Sequence, residues 1–380
     1  MYNVRLMNKI AKIGTDNFDP AKYTVAEEID NPSALLVRSA DLHEFDFPAS
    51  VKAVARAGAG VNNIPLDKCA DNGIVVFNTP GANANGVKEI VISALFLASR
   101  DIVGGIEWAK GLKGDPDAAK KVEKGKSQFA GCEILGKTLG VIGLGAIGRL
   151  VANAADALGM KVIGYDPYLS DAAKALLAPS VQIAGSYEDI YASADYLTLH
   201  IPATAETKGM FNASVFAKMK DGVKVLNFSR ADLVNSADIL AALESGKVAK
   251  YIVDFPTPEI IDAHKNIVAI PHLGASTEES EDNCAVMAVK QIIDYFENGN
   301  LVNAVTYPRL VLDRKGAARI CVLSKDADED KINAAAGACI QSANATKGAY
   351  GYAVYDVDAA SDATVAAIKA VDGVIAVNVI

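Results

Sequence analysis

Long apolar runs are missing from this sequence. None reaches the roughly 20 residues that a bilayer-spanning helix needs, so no membrane partner is expected. The opening stretch, MYNVRLMNKIAKIG, lacks a continuous apolar core followed by a small-residue cleavage site, and the expected location is the cytoplasm. Positive charge is also in short supply. Lys and Arg number 37 against 46 Asp and Glu, for a formal net charge of −9, and no basic cluster stands out. A phosphate backbone finds little attraction here, which argues against a nucleic-acid partner. Cysteine is sparse: Cys69, Cys132, Cys284, Cys321 and Cys339 are odd in number, scattered and without a C-x-x-C pair. That pattern suits reduced thiols that fill cores, and it excludes a disulfide framework or a zinc site from the expectations. There is one tryptophan, Trp108, and there are four histidines; no internal repeat or long low-complexity tract occurs.

What is present is an ordinary globular composition, 51% hydrophobic and 22% charged, over 380 residues. That length suffices for two or three domains, each with its own core. The chain is organised around residues 136–168, GKTLGVIGLGAIGRLVANAADALGMKVIGYDPY. A short apolar run, 139–142, is too brief for a helix and reads as a buried strand. Gly143, Gly145 and Gly148 follow at once as G-x-G-x-x-G, and residues 149–158 carry small and apolar side chains at helical spacing up to Gly159. A glycine turn allows close approach of a pyrophosphate, and the following helix offers it unpaired N–H groups. Gly143, Gly145, Ala146, Ile147 and Gly148 are therefore candidate cofactor contacts, with Arg149 adding charge nearby. A second strand, 161–165, ends at Asp166. A carboxylate there accepts both hydroxyl hydrogens of an adenosine ribose and repels a 2′-phosphate, so the expected cofactor is NAD rather than NADP. A mononucleotide or S-adenosylmethionine-type ligand uses a similar turn and is the alternative.

Around this centre the chain alternates strands and helices, which implies parallel sheets. Strands are expected at 34–38, 51–57 and 73–77, followed by glycine-containing loops at 56–64 and 78–89. A helix over 86–100 is apolar on most faces and should be buried, while 101–132 is polar and lysine-rich. Further strands are expected at 182–183, 196–201, 223–228, 251–254 and 267–270, and helices at 186–193, 213–219, 236–245 and 278–298. After a linker at 306–317 come a strand (319–324), a helix (330–343), two strands around 350–357, a helix (362–370) and a last strand (374–380), in βαββαβ order. The resulting division is 1–98 with 278–305, 99–277, and an independent small domain at 318–380.

A dinucleotide site calls for a group that handles the proton accompanying hydride transfer, and histidine has the suitable pKa. His43 and His264 lie in charged loops. His200, in YLTLHIP, either lines the cofactor pocket or is a satisfied strand-end residue. His272, in IPHLGAST, directly follows a strand of the nucleotide sheet. A carboxylate bonded to that imidazole would orient it, and Asp254, Glu259 and Asp262 in VDFPTPEIID are the candidates. A guanidinium to clamp a substrate carboxylate is available at Arg230, at the same end of the same sheet.

GVIGLGAIG, LNFSRADLV, VDFPTPE and PHLGAST together resemble the D-isomer-specific 2-hydroxyacid dehydrogenases, from about residue 35 to residue 308. The resemblance implies an α/β fold: a doubly wound Rossmann nucleotide domain, a discontinuous flavodoxin-like substrate domain and, from the C-terminal segment, a unit similar to ACT domains. It implies that Arg230 binds the substrate carboxylate and carbonyl, that His272 takes the hydroxyl proton as NAD accepts hydride, and that Glu259 orients the imidazole. Asp254 would hold the nicotinamide carboxamide, with His200, Pro202 and Thr207 lining the cofactor. Ala59 and Gly60 would present N–H groups to the substrate, Asn83 would close the pocket, and Arg38 and Arg56 would meet a phosphate. The implied substrate is a phosphorylated 2-hydroxy acid, 3-phosphoglycerate. The alternatives are a reductase of hydroxypyruvate, glyoxylate or another plain 2-keto acid, and a binding protein that responds to NAD without turnover. A homo-oligomer is expected, and an amino-acid effector at the C-terminal unit. Four features depart from the family pattern: Ala231 stands for a glycine, Asn235 for an aspartate, P-T-P-E for a glutamate that precedes a proline, and SKDADED for a Pro-Gly turn in the C-terminal unit.

Overall fold

The computed structural model describes residues 1–380, which divide into two compact units: 1–83 with 277–380, and 84–276. The first begins with five parallel strands, β1 (Tyr2–Leu6), β2 (Tyr23–Ala26), β3 (Ala34–Val37), β4 (Ala53–Arg56) and β5 (Val75–Phe77). Their order, β2-β1-β3-β4-β5, is that of a flavodoxin-like sheet. β3 to β5 fall within the expected segments. β1 and β2 do not correspond to any expected strand, because YNVRL and YTVA are short and carry polar residues on part-exposed faces. The helix Glu278–Asn298 packs across this sheet and buries Ala285, Ala288, Val289, Ile292 and Phe296 in one cluster with Val4, Leu36 and Ala55. Thr277 caps its N-terminus, its side chain accepting from the Ser280 N–H, and Gly299 ends it at φ +71°.

The second unit carries seven parallel strands: β6 (Thr138–Ile142), β7 (Lys161–Tyr165), β8 (Gln182–Ile183), β9 (Tyr196–Leu199), β10 (Val223–Asn227), β11 (Val248–Val253) and β12 (Ile267–Ala269). They are ordered β12-β11-β10-β9-β6-β7-β8, so the sequence runs outward in both directions from β6 and β9. This is the doubly wound arrangement, with its switch point between those two strands. The helix Ala84–Ser99 belongs to this unit rather than to the N-terminal one where the sequence division put it. Its Val87, Val91, Ala94 and Leu95 share a core with Val141, Val151 and Ile252. No helix is long and apolar enough to cross a membrane.

The C-terminal segment forms β13 (Ala318–Lys325), β14 (Gln341–Lys347), β15 (Tyr350–Val357) and β16 (Val374–Val379), antiparallel in the order β14-β15-β13-β16. With helices Glu329–Ala336 and Asp362–Lys369 this is the βαββαβ order read from the sequence. The first of those helices is shorter than expected. The alanines of 334–338 extend a helical reading to 343, but Gly337 turns at φ +70° and QSANATK, alternating in exposure, pairs with β15 instead.

The independence expected of this segment is not what the structure shows. One face of its sheet, with Ile320, Val322 and Tyr355, packs on its own helices. The other, with Cys321, Leu323, Tyr352 and Val354, is continuous with the core of the N-terminal sheet and its long helix. Nor is 306–317 a free linker: Tyr307 is fully buried, its hydroxyl donating to the Ala70 carbonyl at 2.7 Å, and Leu310 pairs with Leu301.

One ion pair ties these pieces together. Arg319 and Asp356 have no exposed side-chain surface and meet in two parallel bonds of 2.6 and 3.0 Å. Nη1 of Arg319 also donates to the carbonyls of Asn298, at the end of the long helix, and Leu312. Burial pushes the Asp356 carboxyl up, but the bonds from Arg319, the Lys315 N–H and Gln341 outweigh it and hold the group well below the usual carboxylate range. Its contribution to stability is therefore present above the unfolded-chain value of about 3.9 and is lost as pH falls below it. Arg319→Met, which strands the carboxylate, should lower unfolding free energy by about 3–5 kcal/mol in urea titrations at neutral pH, and Asp356→Leu added to it should recover most of the loss.

Candidate active site

The nucleotide turn is built by β6 and the helix Ala146–Ala157. Gly143 turns at φ +89°, where a Cβ would lie 2.7 Å from the His200 carbonyl. At Gly148 a Cβ would lie 1.9 Å from the Gly143 carbonyl, so helix and turn touch backbone to backbone. Gly145 differs from both: its φ is −65° and a Cβ there would meet nothing within 4 Å. The protein's own packing places no demand for glycine at that position. Space in front of a helix N-terminus that no side chain caps is what a pyrophosphate requires, and Gly145, Ala146 and Ile147 line it. Asp166, at the end of β7, accepts from the Leu144 and Tyr168 N–H groups, both at 2.9 Å, one on each oxygen. Each oxygen retains lone pairs for a ribose hydroxyl. These residues fit a dinucleotide with an unsubstituted ribose.

His200 ends β9. Its Nε2 is 2.9 Å from the Thr198 hydroxyl, its Nδ1 is buried without a partner, and burial pushes the imidazole down to about 3. It is neutral across the physiological range and cannot serve as an acid there. Thr207 donates to the Pro202 carbonyl at 2.7 Å and accepts from the Thr204 N–H at 2.8 Å, closing the loop that follows.

The ends of β10 and β11 and the loop after β12 bring Arg230, Asp254 and His272 together. Asp254 is buried, and its two oxygens accept from the N–H groups of Leu273 (2.7 Å) and Gly274 (2.9 Å), while its own carbonyl accepts from the His272 N–H (3.0 Å). Burial raises its carboxyl above the ordinary value against the pull of those two bonds and of His272. His272 sits at φ +52°, a strained conformation for this residue, and the Asp254 contacts are what hold it there. Each Asp254 oxygen thus engages a protein amide and anchors the loop, and each keeps a lone pair for a ligand donor, as at Asp166.

The imidazole itself lies against Phe255, ring centroids 4.3 Å apart, and the Arg230 guanidinium lies 5.4 Å from the centre of the same ring. Phe255 was not singled out by the sequence reading, which followed charge and hydrogen-bonding capacity; its place beside Asp254 in VDFPTPE was the available signal. Glu259 is exposed and bonded to the Thr257 hydroxyl, which lowers its pKa, and no hydrogen bond or ion pair joins it to His272. The expected imidazole–carboxylate contact is not formed in this structure, where the Glu259 carboxylate is bonded to Thr257 instead.

In the other unit, the loop after β4 turns at Gly58, where a Cβ would collide with the Arg56 guanidinium. The N–H groups of Ala59 and Gly60 have no acceptor in the chain, and the Ala59 carbonyl accepts from Asn78 at 2.7 Å. The Arg56 Nε donates to the Arg38 carbonyl at 3.1 Å, and the Arg38 guanidinium pairs with Glu281 at 2.6 Å. Glu281, on the helix Glu278–Asn298, is a partner that the sequence reading did not name. Asn83 has its Oδ1 buried without a partner.

Two substitutions separate packing from ligand space at the turn. Gly148→Ala should cost about 1–3 kcal/mol through overpacking, seen as a lower melting temperature. Gly145→Ala should leave stability within about 0.5 kcal/mol and weaken NADH binding by about tenfold or more in fluorescence titration. Asp254→Asn, which sets an amide N–H against a backbone N–H, should lose about 2 kcal/mol of unfolding free energy.

Comparison with known proteins places this geometry. The family described as "D-isomer specific 2-hydroxyacid dehydrogenase, NAD binding domain" matches residues 102–274. Among curated proteins, D-3-phosphoglycerate dehydrogenase of Bacillus subtilis is 32% identical over 335 residues, covering 82% of this chain and 60% of that protein. The protein of the same name from Homo sapiens is 34% identical over 297 residues, covering 75% of this chain and 52% of its own length. The chain thus spans only a little over half the length of these relatives. Among solved structures, a glyoxylate/hydroxypyruvate reductase from Sinorhizobium meliloti (TM-score 0.67, 20% identity) and an NAD-bound 3-phosphoglycerate dehydrogenase from Entamoeba histolytica (0.62, 24%) share the fold. Each of these two alignments covers 80% of this chain and 98% of the other. Residues 102–274 belong to the NAD-binding domain family of the D-isomer-specific 2-hydroxyacid dehydrogenases.

Proposed function

We propose that this protein oxidises the 2-hydroxyl of a small D-hydroxy acid with NAD, and that its substrate is D-3-phosphoglycerate, giving 3-phosphohydroxypyruvate, a step toward L-serine. The observation that carries the reading is the grouping of a guanidinium and an imidazole on one aromatic ring at the strand ends of the nucleotide sheet. NAD, when bound, supplies the acceptor for the hydride that leaves C2. Gly143, Gly145, Ala146, Ile147 and Gly148 would hold its pyrophosphate and Asp166 its adenosine ribose; His200, Pro202 and Thr207 would line its path. Arg230 would hold the substrate carboxylate and polarise the oxygen that becomes the carbonyl. The His272 imidazole would take the hydroxyl proton as the C–H bond breaks, so that C2 and its oxygen become a ketone. Glu259 would have to turn from Thr257 to reach the imidazole. Ala59 and Gly60, with free N–H groups, and Asn83 would complete the acid's binding, and Arg56 and Arg38 would meet its phosphate.

A second reading, reduction or oxidation of an unphosphorylated 2-keto or 2-hydroxy acid such as glyoxylate or hydroxypyruvate, is favoured by one observation. Arg38 is already neutralised by Glu281 and would have to exchange that partner for a phosphate. The C-terminal sheet, one face of which is buried in the core of its unit, is suited to a structural or assembly role within a homo-oligomer more than to an amino-acid effector site.

With NAD and the preferred acid, His272→Gln should reduce turnover by roughly 10² or more while leaving NADH binding intact. His200→Gln should leave the pH profile of kcat/KM unchanged between pH 5 and 8, since His200 carries no charge in that range. Arg56→Ala should raise KM for 3-phosphoglycerate and leave glyoxylate reduction unchanged; equal effects on both substrates would favour the second reading.

A further inference from the structure

The imidazole proposed as proton acceptor lacks the support usual for such a group. Neither ring nitrogen of His272 is hydrogen-bonded within the chain, and the carboxylate expected to orient it is engaged with Thr257. Asp254 fixes the backbone of residues 272–274 but does not reach the ring. The Arg230 guanidinium is similarly loose, bonding only to the carbonyl of the preceding Ser229, at 2.7 Å. What both groups share is Phe255. Its backbone continues from Asp254, which is anchored to Asn227 on β10 (3.0 Å) and to the His272 loop. Its ring meets the imidazole at 4.3 Å, tilted by 45°, and the guanidinium at 5.4 Å. Phe255 is only half-buried, while Tyr251, Val253 and Ile260 fill the core beneath. Its ring is thus spent on the two functional groups more than on the core.

We propose that Phe255 is a positioning residue of the reaction: it is the platform that sets the spacing and tilt of the His272 imidazole and the Arg230 guanidinium. The ring attracts both groups when both are cationic, as they are after the proton has moved. This inference rests on the proposed roles of Arg230 and His272.

Phe255→Leu should lower kcat by about tenfold to a hundredfold and raise KM for the acid, because misplacement on the ångström scale has that effect, with NADH affinity and melting temperature close to wild type. Phe255→Tyr, which keeps the ring, should restore kcat to within about threefold. In the apo protein, the His272 imidazole proton resonances, shifted by the Phe255 ring current, should move and broaden in Phe255→Leu and stay in place in Phe255→Tyr. Phe255→Met serves if the leucine variant folds poorly. Wild-type kcat and KM in Phe255→Leu, beside strong losses in Arg230→Lys and His272→Gln, would overturn the platform and leave the site reading intact. No loss in any of the three would overturn the site reading and the platform with it.

Discussion

A single buried carboxylate sets the geometry on which the rest depends. Asp254 lies at the end of β11 with almost no exposed surface and spends both oxygens on the N–H groups of Leu273 and Gly274. Those bonds hold His272 in a left-handed backbone conformation that the residue would not adopt alone. A charge-assisted bond is worth more than a neutral one and is sharply directional. Two of them on consecutive amides leave a loop little freedom, which is why a strained backbone can persist at the strand end where ligands of such sheets bind.

The architecture beneath is built so that this anchor and the nucleotide turn emerge from one sheet. β6 runs into the glycine turn and β10 and β11 into Arg230 and Asp254, with β9 between them. Because all seven strands are parallel, every one of these groups leaves the sheet at the same edge. The division of labour follows from chemistry: glycines give backbone access, Asp166 gives acceptors, His200 stays neutral, and Arg230 with His272 provides the charged and titratable pair. The phenylalanine between those two gives them an apolar neighbour in common.

Much of this was legible in the sequence. The glycine spacing, the acidic residue after the next strand and the histidine after the last strand depend on local order, which a one-dimensional reading captures. The parallel arrangement of the first two sheets and the βαββαβ succession of the C-terminal segment followed from the alternation of elements. What could not be read falls into two kinds. The loop-anchoring bonds of Asp254 could not be read because its hydrogen-bond partners, nineteen and twenty residues away, are backbone amides that no side-chain pattern reveals. Glu259 was chosen by spacing, which does not reveal that its carboxylate bonds to Thr257, two residues before it. The C-terminal segment shows the same limit on a larger scale. Its alternation predicted strands, but only the packing of Cys321, Leu323, Tyr352 and Val354 against the long helix shows that it shares a core with the N-terminal sheet. The expected helix over 330–343 ended early at Gly337, and its last residues, from Gln341, joined β14 through pairing with β15.

The account's central claim is that hydride leaves C2 of a D-hydroxy acid and the proton leaves the C2 hydroxyl under the control of groups at this one sheet edge. The most direct measurement follows deuterium from the C2 position of D-3-phosphoglycerate and of its L-enantiomer into NADH by mass spectrometry. The account predicts that the label appears in NADH from the D-acid and not from the L-acid. Label from neither enantiomer, with NAD bound and with plain 2-hydroxy acids equally silent, would contradict it.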